Sequence, residues 1–342
     1  MVGKRVVFLL IVIILSVAFF AGNAHAEASY YPFLDRDHIG LIDEKGELVI
    51  EPIYLEMGQP SDGWIAVRES SQWKYRLLEG SGEIKGAFDQ AGPFVDGIAP
   101  VSLGDLNGFI DQSGEWLASG FAFVDAYSEG FAVVGDQSGI YFLDDQMKDT
   151  FKKRFEDAGS FSYGLAPIRL QEKWGLINSK GMIAVDPFFD DIPALGQESI
   201  VGKANGKYGM LNRDGGEVIP FEYEMLLPLT EGMIGYFDGE FWGYMNIDQE
   251  IVIPCRFSNI TPFSNQRAYV IESGVGKVID QSGQLIGNLT FEAFNLEDLL
   301  FASQYSYQFY EEMKAPFSNH QKMILDGNAW KIINDQGEIL FQ

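Results

Sequence analysis

Short stretches of alternating apolar and polar residues run along most of this chain, and glycine-containing turns separate them. The segments GLAPI, WGLIN and GMIAVDP, which follow one another between residues 164 and 187, are representative. Each is rich in aliphatic or aromatic residues and too short for a stable helix, which is the pattern of β-strands joined by tight turns. We therefore predict an all-β protein in which three consecutive strands form a meander.

The middle segment belongs to a tandem repeat. The stretch EKWGLINSKG at residues 172–181 recurs in variants, and the residue equivalent to Asn178 returns about every 34 residues. Helical TPR arrays share this period, but the short β-type segments exclude them here. The anchor residues of the repeats are Asp43, Glu79, Asp111, Asp144, Asn178, Asn212, Asn246, Asp280 and Asn334.

Each anchor residue predicts a hairpin turn. Asp or Asn hydrogen-bonds the backbone of a type I turn, and a glycine three residues later takes the left-handed conformation. Met147 and Gln249 stand where this glycine is expected, so those two turns must differ or carry strain. The glycines at the expected position are Gly46, Gly82, Gly114, Gly181, Gly215, Gly283 and Gly337.

A second motif, a polar turn followed by glycine, precedes each meander, as in FVDGIAPV and FSYGLAPI. Residues 27–342 are therefore expected to form a single domain of about nine tandem three-stranded β-meander repeats. Such repeats form either an open twisted array or a closed β-propeller. Propellers typically have about four to eight blades of four strands, so nine units of three strands favour the open array.

These features resemble the WG β-repeat family of bacterial proteins. Its hallmark is an aromatic-glycine pair, two aliphatic residues, Asp or Asn, and a glycine turn. The pair occurs literally as Trp174-Gly175 and Trp242-Gly243, and looser copies are Tyr208-Gly209, Ile39-Gly40, Asn107-Gly108, Trp330-Lys331 and Tyr75-Arg76. The resemblance covers residues 30–342 and implies an all-β repeat with no established common chemistry. The repeats at Glu79 and Asp144 depart most from the pattern.

One region breaks the period, because about 20 extra residues separate the last two anchors. Within residues 291–317, the stretch LEDLLFASQYSYQFYEEMK lacks glycine and proline and carries acids early and a lysine late, which predicts an amphipathic helix. We favour a helical insertion that caps the end of the array, since repeat arrays need caps. The alternative is a docking helix that exposes Tyr305, Tyr307 and Tyr310.

The first 26 residues have the form of a signal peptide. They comprise a basic start, a long apolar run and the small-residue cleavage site AHA at 24–26. An uncleaved membrane anchor is the alternative, but the small residues follow the apolar run directly, which favours cleavage. We expect a secreted or extracytoplasmic protein of the cell envelope, held at a membrane only through this segment if it is not removed.

Charge and cysteine content narrow the chemistry. The formal net charge of −25 at pH 7 repels nucleic acid and anionic membranes, so no nucleic-acid partner is expected. The single cysteine, Cys255, excludes an internal disulfide and Cys-His metal clusters, and we favour a buried structural thiol over a nucleophile. One carboxylate per hairpin turn is too few for calcium. No G-x-S-x-G, H-E-x-x-H or P-loop pattern occurs, so we expect no cofactor, no metal and no enzymatic activity.

The tryptophans divide into two groups. Trp174, Trp242 and Trp330 recur at the repeat phase, which favours packed rings between repeats over a ligand platform. Trp64, Trp73 and Trp116 fall outside that phase and are the candidate ligand or partner contacts. The other residues assigned to the repeat architecture are Gly175, Asn178, Gly181, Tyr208, Gly209, Asn212, Gly215, Gly243, Asn246, Asp280, Gly283, Asn334 and Gly337.

Three functions remain open. We favour a non-enzymatic exported repeat protein that binds or scaffolds a macromolecular partner, either a protein or a cell-envelope polymer. The out-of-phase tryptophans motivate a glycan or cell-wall binding module as the alternative. A hydrolase of extracellular polymers is least favoured, because no spacing singles out a pair of catalytic carboxylates.

Overall fold

Every regular element in the described part of the chain is a β-strand. The computed structural model describes residues 30–35, 38–43, 46–80, 82–286, 291–292, 321–326, 329–334 and 339–341. These residues contain no helix, and their strands form small antiparallel sheets in which each strand pairs with its neighbour in the chain. The predicted all-β meander architecture is therefore confirmed.

Nine sheets follow one another along the described residues. The first three consist of β1 (Tyr30–Asp35), β2 (His38–Asp43) and β3 (Leu48–Tyr54); β4 (Glu56–Met57), β5 (Trp64–Arg68), β6 (Trp73–Leu77) and β7 (Glu83–Phe88); and β8 (Gln90–Ala91), β9 (Ile98–Leu103), β10 (Leu106–Asp111) and β11 (Trp116–Phe121). The next three consist of β12 (Phe123–Ser128), β13 (Phe131–Asp136) and β14 (Gly139–Leu143); β15 (Asp157–Ala158), β16 (Leu165–Leu170), β17 (Lys173–Asn178) and β18 (Ile183–Phe189); and β19 (Ala194–Leu195), β20 (Ser199–Ala204), β21 (Lys207–Asn212) and β22 (Glu217–Tyr223). The last three consist of β23 (Met225–Leu226), β24 (Ile234–Phe237), β25 (Trp242–Met245) and β26 (Ile251–Phe257); β27 (Asn259–Ile260), β28 (Arg267–Glu272), β29 (Val275–Asp280) and β30 (Phe291–Glu292); and β31 (Gln321–Asp326), β32 (Ala329–Asn334) and β33 (Ile339–Phe341).

Six of the described sheets have four strands, which corrects the prediction of three. The additional strand has two residues and precedes the polar turn, as β15 precedes β16. Ser162 and Leu165 exchange two backbone hydrogen bonds around Tyr163 and Gly164, whose φ angles are 52° and 77°. This is a two-residue type I′ hairpin turn. The polar-glycine motif therefore joins two strands instead of only starting one.

The third strand of a regular meander bulges opposite the aromatic-glycine pair. Between β17 and β18, Trp174 pairs with Phe189 and Leu176 with Val185, so that residues 186–188 arch away from the ladder. The same irregularity recurs between β2 and β3, β21 and β22, and β25 and β26. Proline occurs in these arches, where it blocks edge-to-edge pairing.

The described residues fall into two compact bodies. In the smaller body (Leu106–Gly108 and Leu117–Leu229), the apolar faces of consecutive sheets pack on each other. One cluster includes Phe142 and Ile168, and a second includes Leu176 and Ile200. A repeat therefore buries its apolar face only against the next repeat.

The larger body is built in the same way. Its described residues lie within Ala26–Asp105, Phe109–Trp116 and Thr230–Gln342. Its first cluster joins Leu41 of β2 to Val67 of β5, and a second joins Tyr75 of β6 to Val101 of β9. The expectation that residues 27–342 form a single domain stays a prediction.

Several sequence-based expectations lie outside the described residues. These are the signal peptide at 1–26 and nearly all of the helical insertion at 291–317, with Tyr305, Tyr307 and Tyr310. At the two residues of the insertion that the structure describes, Phe291 and Glu292, it shows the strand β30. No helix in the described residues supports the insertion.

Candidate interaction surface

The anchor residues accept hydrogen bonds within their own hairpin turns. Asn178 Oδ1 accepts from the backbone N–H groups of Lys180 at 3.0 Å and Met182 at 3.1 Å. Asp111, Asp144, Asn212 and Asp280 bond their turns in the same way. These side chains are occupied by the turn backbone, as a turn-forming role requires.

The two turns without glycine adopt the same conformation as the others. The φ angle is 59° at Met147 and 63° at Gln249, compared with 69° at Gly181 and 83° at Gly215. A side chain in this left-handed region is strained. The sequence predicted either a different turn type or backbone strain at Met147 and Gln249. The structure shows the same turn type, with both residues in the strained left-handed conformation.

Two carboxyl groups with lowered pKa values, those of Asp111 and Asp280, belong to these turns. The Ser113 hydroxyl and nearby backbone N–H groups lower the pKa of Asp111, and the Ser282 hydroxyl does so for Asp280. Both causes are hydrogen bonds to the charged form. The shifts therefore reflect turn structure and give no sign of an acid-base pair.

The glycine of the aromatic-glycine pair lies under the arch of the third strand. A Cβ at Gly175 would lie 2.7 Å from the Val185 carbonyl oxygen and 2.8 Å from the Pro187 nitrogen. At Gly243 the equivalent distance to the Ile253 oxygen is 2.6 Å. Backbone cannot yield as a side chain can, so glycine allows this close approach of the third strand at these two positions. In the repeat of β6 and β7 the same arch lies opposite Lys74, so that repeat accommodates a side chain there.

The aromatic residue of the pair packs at the edge of a core cluster. Trp174 is half-buried and contacts the cluster that contains Phe189. The Trp242 ring lies 5.3 Å from that of Phe237, and burial raises the pKa of Tyr208 to about 12. Trp330 and Asn334 lie on β32, and Gly337 is outside the described residues.

Trp73 lies in the repeat phase, which corrects the sequence-based expectation. It pairs with Phe88, as Trp174 pairs with Phe189 and Trp242 with Phe257. Trp73-Lys74 therefore occupies the WG position in this repeat, and Tyr75-Arg76 does not. The turn after β6 is one residue longer than the others, because Leu77 N–H donates to the Gly82 carbonyl. Leu77 therefore stands at the anchor position, and Gly80, with a φ of 86°, is the left-handed residue three positions later. Choosing Glu79 and Gly82 as the anchor and the turn glycine shifted the register by two residues.

The other two candidate tryptophans differ in exposure. Trp64 follows a type I′ turn, is half-buried, and packs with its ring centre 5.9 Å from that of Phe94. Trp116 begins β11 and is 37% exposed. Trp64 and Trp73 pack against the same core cluster, and Trp116 is the one of the three predicted contact residues that offers an accessible ring.

Exposed apolar side chains recur at one repeat position that the sequence analysis did not single out. This position is the fifth residue after an anchor, where the third strand begins in most of these repeats, although Leu285 forms only an isolated bridge with Ile279. The repeats of Asp144 and Asn212 carry a polar residue there. The apolar side chains at this position are between 37% and 63% exposed in Leu48, Trp116, Ile183, Leu285 and Ile251. The available signal was an apolar residue at fixed spacing on an edge strand, where a polar residue is expected.

Acidic residues of the type I′ turns bond the next repeat. Asp62 Oδ2 accepts from Gly97 N–H at 2.8 Å, and Glu129 Oε2 accepts from Gly164 N–H at 2.8 Å. Glu231 accepts from the N–H groups of Asn265 and Gln266 at 2.8 and 2.7 Å. These carboxylates satisfy backbone donors and align consecutive repeats.

The described part of the chain contains neither a cluster of metal-binding side chains nor a membrane-spanning helix. No group of three His, Cys, Asp or Glu side chains there could hold a metal ion. None of its elements is a helix long and apolar enough to cross a membrane. Cys255 is half-buried, not fully buried as expected, and partial burial raises the pKa of its thiol.

The fold and this surface define an all-β repeat protein with apolar side chains at a fixed repeat position. The chain belongs to the family described as WG containing repeat, whose model matches residues 39–73, 84–106, 108–135, 144–174, 174–195, 208–238 and 242–274. The resemblance seen in the sequence is thereby confirmed. No curated protein sequence matches the chain.

Solved structures are similar in fold. A crystal structure of the eukaryotic initiation factor matches with a TM-score of 0.55 and 10% identity, covering 77% of this chain and 85% of that one. Dihydro-heme d1 dehydrogenase NirN in complex with DHE matches at 0.48 and 12%, covering 81% and 77%. Kluyveromyces lactis Hsv2 matches at 0.34 and 11%, covering 80% and 87%. At these identities the likeness concerns the fold alone.

Proposed function

We propose that this protein is a non-enzymatic, exported repeat protein that binds a macromolecular partner at the cell envelope. The repeat fold supports this proposal, because stacked repeats create extended surfaces. The export signal in the sequence supports the location. The lowered pKa values of Asp111 and Asp280 arise from hydrogen bonds within their turns, which supports a structural role for these carboxylates.

The observation that carries the proposal is the recurrent exposed apolar side chain at the start of the third strand. Leu48, Ile183 and Ile251 are 52%, 42% and 63% exposed, although an edge strand in water favours polar residues there. Single exposed apolar residues are ordinary, but recurrence at one repeat position is not. Leu48 and Ile251 belong to the larger body and Ile183 to the smaller one, and a partner that contacts either body would cover the side chains exposed on it.

The test is sedimentation of the purified protein with envelopes from the cells that make it. The variant Leu48→Ser/Ile183→Ser/Ile251→Ser is expected to lose most of its binding, by about tenfold or more in affinity, because each buried apolar group contributes on the order of 1 kcal/mol. The control Leu103→Ser/Phe123→Ser/Phe241→Ser removes exposed apolar residues outside that repeat position and should bind as the wild type does. Equal binding by the first variant and the wild type would contradict the proposal.

A glycan or cell-wall binding module is the second candidate, and the exposed ring of Trp116 favours it. Protease treatment of the envelopes separates the two. Binding that is lost with the envelope proteins indicates a protein partner, whereas binding that survives and requires Trp116 indicates a glycan.

The open twisted array favoured by the sequence stays a proposal. Small-angle X-ray scattering on residues 27–342 tests it. A radius of gyration near 20 Å, roughly that of a compact globule of this length, would contradict an open array, and a clearly larger value would support it.

A further inference from the structure

The lysines of this acidic protein are divided by their partners. Among the lysine side chains that the structure describes, five contact a carboxylate at 2.5 to 3.7 Å. They are Lys74, Lys173, Lys203, Lys207 and Lys277. This pairing is expected where acids outnumber bases 49 to 24.

The remaining four described lysines have no such partner. Lys148, Lys152, Lys153 and Lys180 are all exposed, and no carboxylate of the described residues lies within 4.0 Å of their ammonium groups. Lys148 donates to the Gln146 side-chain oxygen at 2.6 Å, and Lys153 donates to the Gly181 carbonyl at 2.6 Å. Both acceptors are neutral, so all four positive charges remain uncompensated by direct ion pairs.

The four lysines belong to two segments of the smaller body that contact each other. Lys148, Lys152 and Lys153 belong to the segment 148–154, and Lys180 belongs to the hairpin turn after β17. The bond from Lys153 to the Gly181 carbonyl joins the two turns. The Phe151 ring also contacts Gly181, since a Cβ at that glycine would lie 2.5 Å from it. We call these four residues the lysine cluster.

The segment 148–154 occupies the place of a third strand. After β14 the chain makes only isolated bridges, Leu143 with Asp149 and Ile140 with Phe155. Phe151 packs with its ring centre 5.6 Å from that of Phe142 and 6.3 Å from that of Phe161. This repeat is therefore a packed variant that holds its lysines in place, and it has not simply lost its structure.

Arg154 contributes to this packing, and it is not one of the unpaired positive charges because it forms an ion pair with Asp149. Its guanidinium lies 3.8 Å from the centre of the Tyr141 ring and donates to Asp149 Oδ2 at 2.7 Å. Its Nε donates to Ser138 Oγ at 2.7 Å. A stacked and paired arginine fixes the segment from which the neighbouring lysines project.

We propose that the lysine cluster is the binding site for a flexible linear polyanion that carries phosphate groups. Ammonium groups act as mobile point charges that suit the phosphates of such a chain. A flat anionic membrane would bring its charge against the whole acidic surface, whereas a linear chain can contact the cluster and bend away from the rest. The inference goes beyond the proposed function by assigning a second site, separate from the exposed apolar side chains, and it rests on that proposal only for where the polymer is met.

The test measures the affinity of linear inorganic polyphosphate, used as the probe, for the protein comprising residues 27–342. The variant Lys148→Gln/Lys152→Gln/Lys153→Gln/Lys180→Gln should bind at least about tenfold more weakly than the wild type at low salt. The control Lys173→Gln/Lys203→Gln/Lys207→Gln/Lys277→Gln changes the net charge equally but removes paired lysines, so it should stay within about threefold of the wild type. Thermal unfolding of each variant verifies that it is folded. Wild-type affinity should fall linearly with salt on logarithmic axes.

Three results would overturn the assignment. These are no wild-type binding at low salt, equal losses in the two variants, and cluster-dependent binding to phosphatidylglycerol vesicles that is as tight as binding to polyphosphate. The serine variant of the third strands should bind polyphosphate like the wild type. If it does, but still sediments with envelopes like the wild type, the proposed apolar surface fails while the lysine cluster stands.

Discussion

Two repeats of the smaller body use different packing around the same hairpin. In the regular repeat of β16 to β18, the third strand arches over Gly175 at distances that leave no room for a Cβ. In the repeat of β12 to β14, Tyr141 stands at the glycine position and no third strand follows in the described residues. Arg154 covers that side of Tyr141 instead. In these two repeats the glycine accompanies the arched strand, and a side chain takes its place where that strand is absent. Lys74, opposite the arch of β7, shows that another repeat holds a side chain even under an arched strand.

The hairpin turn itself survives the change. Asp144 Oδ1 accepts from the N–H groups of Gln146 and Lys148 at 2.9 Å, as Asn178 does in the regular repeat. Met147 takes the left-handed conformation that Gly181 takes there. What differs is the segment after the turn, which is a strand in one repeat and a lysine-bearing segment in the other.

The largest expected effect comes from filling the space under the arch. Gly175→Ala should lower the free energy of unfolding by about 3 kcal/mol, because the added methyl meets the backbone of the third strand. Chemical denaturation measures it. The matched control is Gly135→Ala in β13, where the nearest atom would be 3.5 Å away and a change within about 0.5 kcal/mol is expected. Equal effects at both glycines would contradict the close-approach explanation.

The second effect concerns the residue two positions before the anchor. This residue is Phe142 or Leu176 in the two repeats compared, and it is Tyr75 or Tyr244 in two others. The Tyr75 hydroxyl donates to the Gly92 carbonyl at 2.7 Å, and the Tyr244 hydroxyl donates to the Thr261 carbonyl at 2.8 Å. Tyr75→Phe and Tyr244→Phe should each cost about 1 kcal/mol at neutral pH, since a buried acceptor loses its donor. Denaturation at pH 7 checks this, and no loss would mean that water replaces the hydroxyl.

The same tyrosines predict a pH dependence. Burial raises the pKa of Tyr75 and Tyr244 above the ordinary value of 10.0. A group with a raised folded-state pKa stabilises the fold below its unfolded pKa, and this stability is lost as pH rises beyond that value. The wild type should therefore lose stability above pH 10, and the double phenylalanine variant should lose less. Parallel curves would show that other groups cause the alkaline loss.

A smaller effect is expected at the strained turn. Met147→Gly should raise the free energy of unfolding by up to about 1 kcal/mol, because glycine takes a φ of 59° without steric cost. Met147→Ala is the control, since alanine keeps the Cβ and should bring no gain. A gain for alanine as large as that for glycine would assign the effect to the methionine side chain.

The smallest effect separates Asp turns from Asn turns. Serine hydroxyls and backbone donors lower the pKa of Asp111 and Asp280, so these groups stabilise the fold above pH 3.8 and lose this contribution as pH falls through the folded-state pKa. Asp111→Asn/Asp280→Asn should reduce acid sensitivity by a few tenths of a kcal/mol, as in the natural Asn178 turn. Unfolding from pH 6 to pH 2 measures it, and an unchanged slope would contradict it.

The sequence predicted what local chemistry determines. The turns could be recognised in the sequence because their backbone conformation requires Asp or Asn at one position and favours glycine three residues later. The repeat period follows from the recurrence of these residues. The two-residue strands such as β15 escaped prediction because they are too short to show alternation. Trp73 was misassigned because its repeat has Leu77 at the anchor position, so the Asp, Asn or Glu signal pointed to Glu79, two residues further on.

The candidate surfaces were less accessible to sequence reasoning. Five lysines find a carboxylate across a strand, a turn or a bulge, and only coordinates show which four do not. The exposure of Ile251 likewise depends on its place at the beginning of an edge strand. Both features arise from contacts between segments and not from the residue types alone.

Hydrogen-deuterium exchange with and without linear polyphosphate is the most direct test of whether the variant repeat carries a polyanion site that is separate from the exposed apolar side chains of the regular third strands. We expect polyphosphate to slow the exchange of backbone amides in residues 148–154 and 178–182 and to leave the other residues unchanged. Protection that is absent there, or that appears on the regular third strands instead, would contradict this expectation.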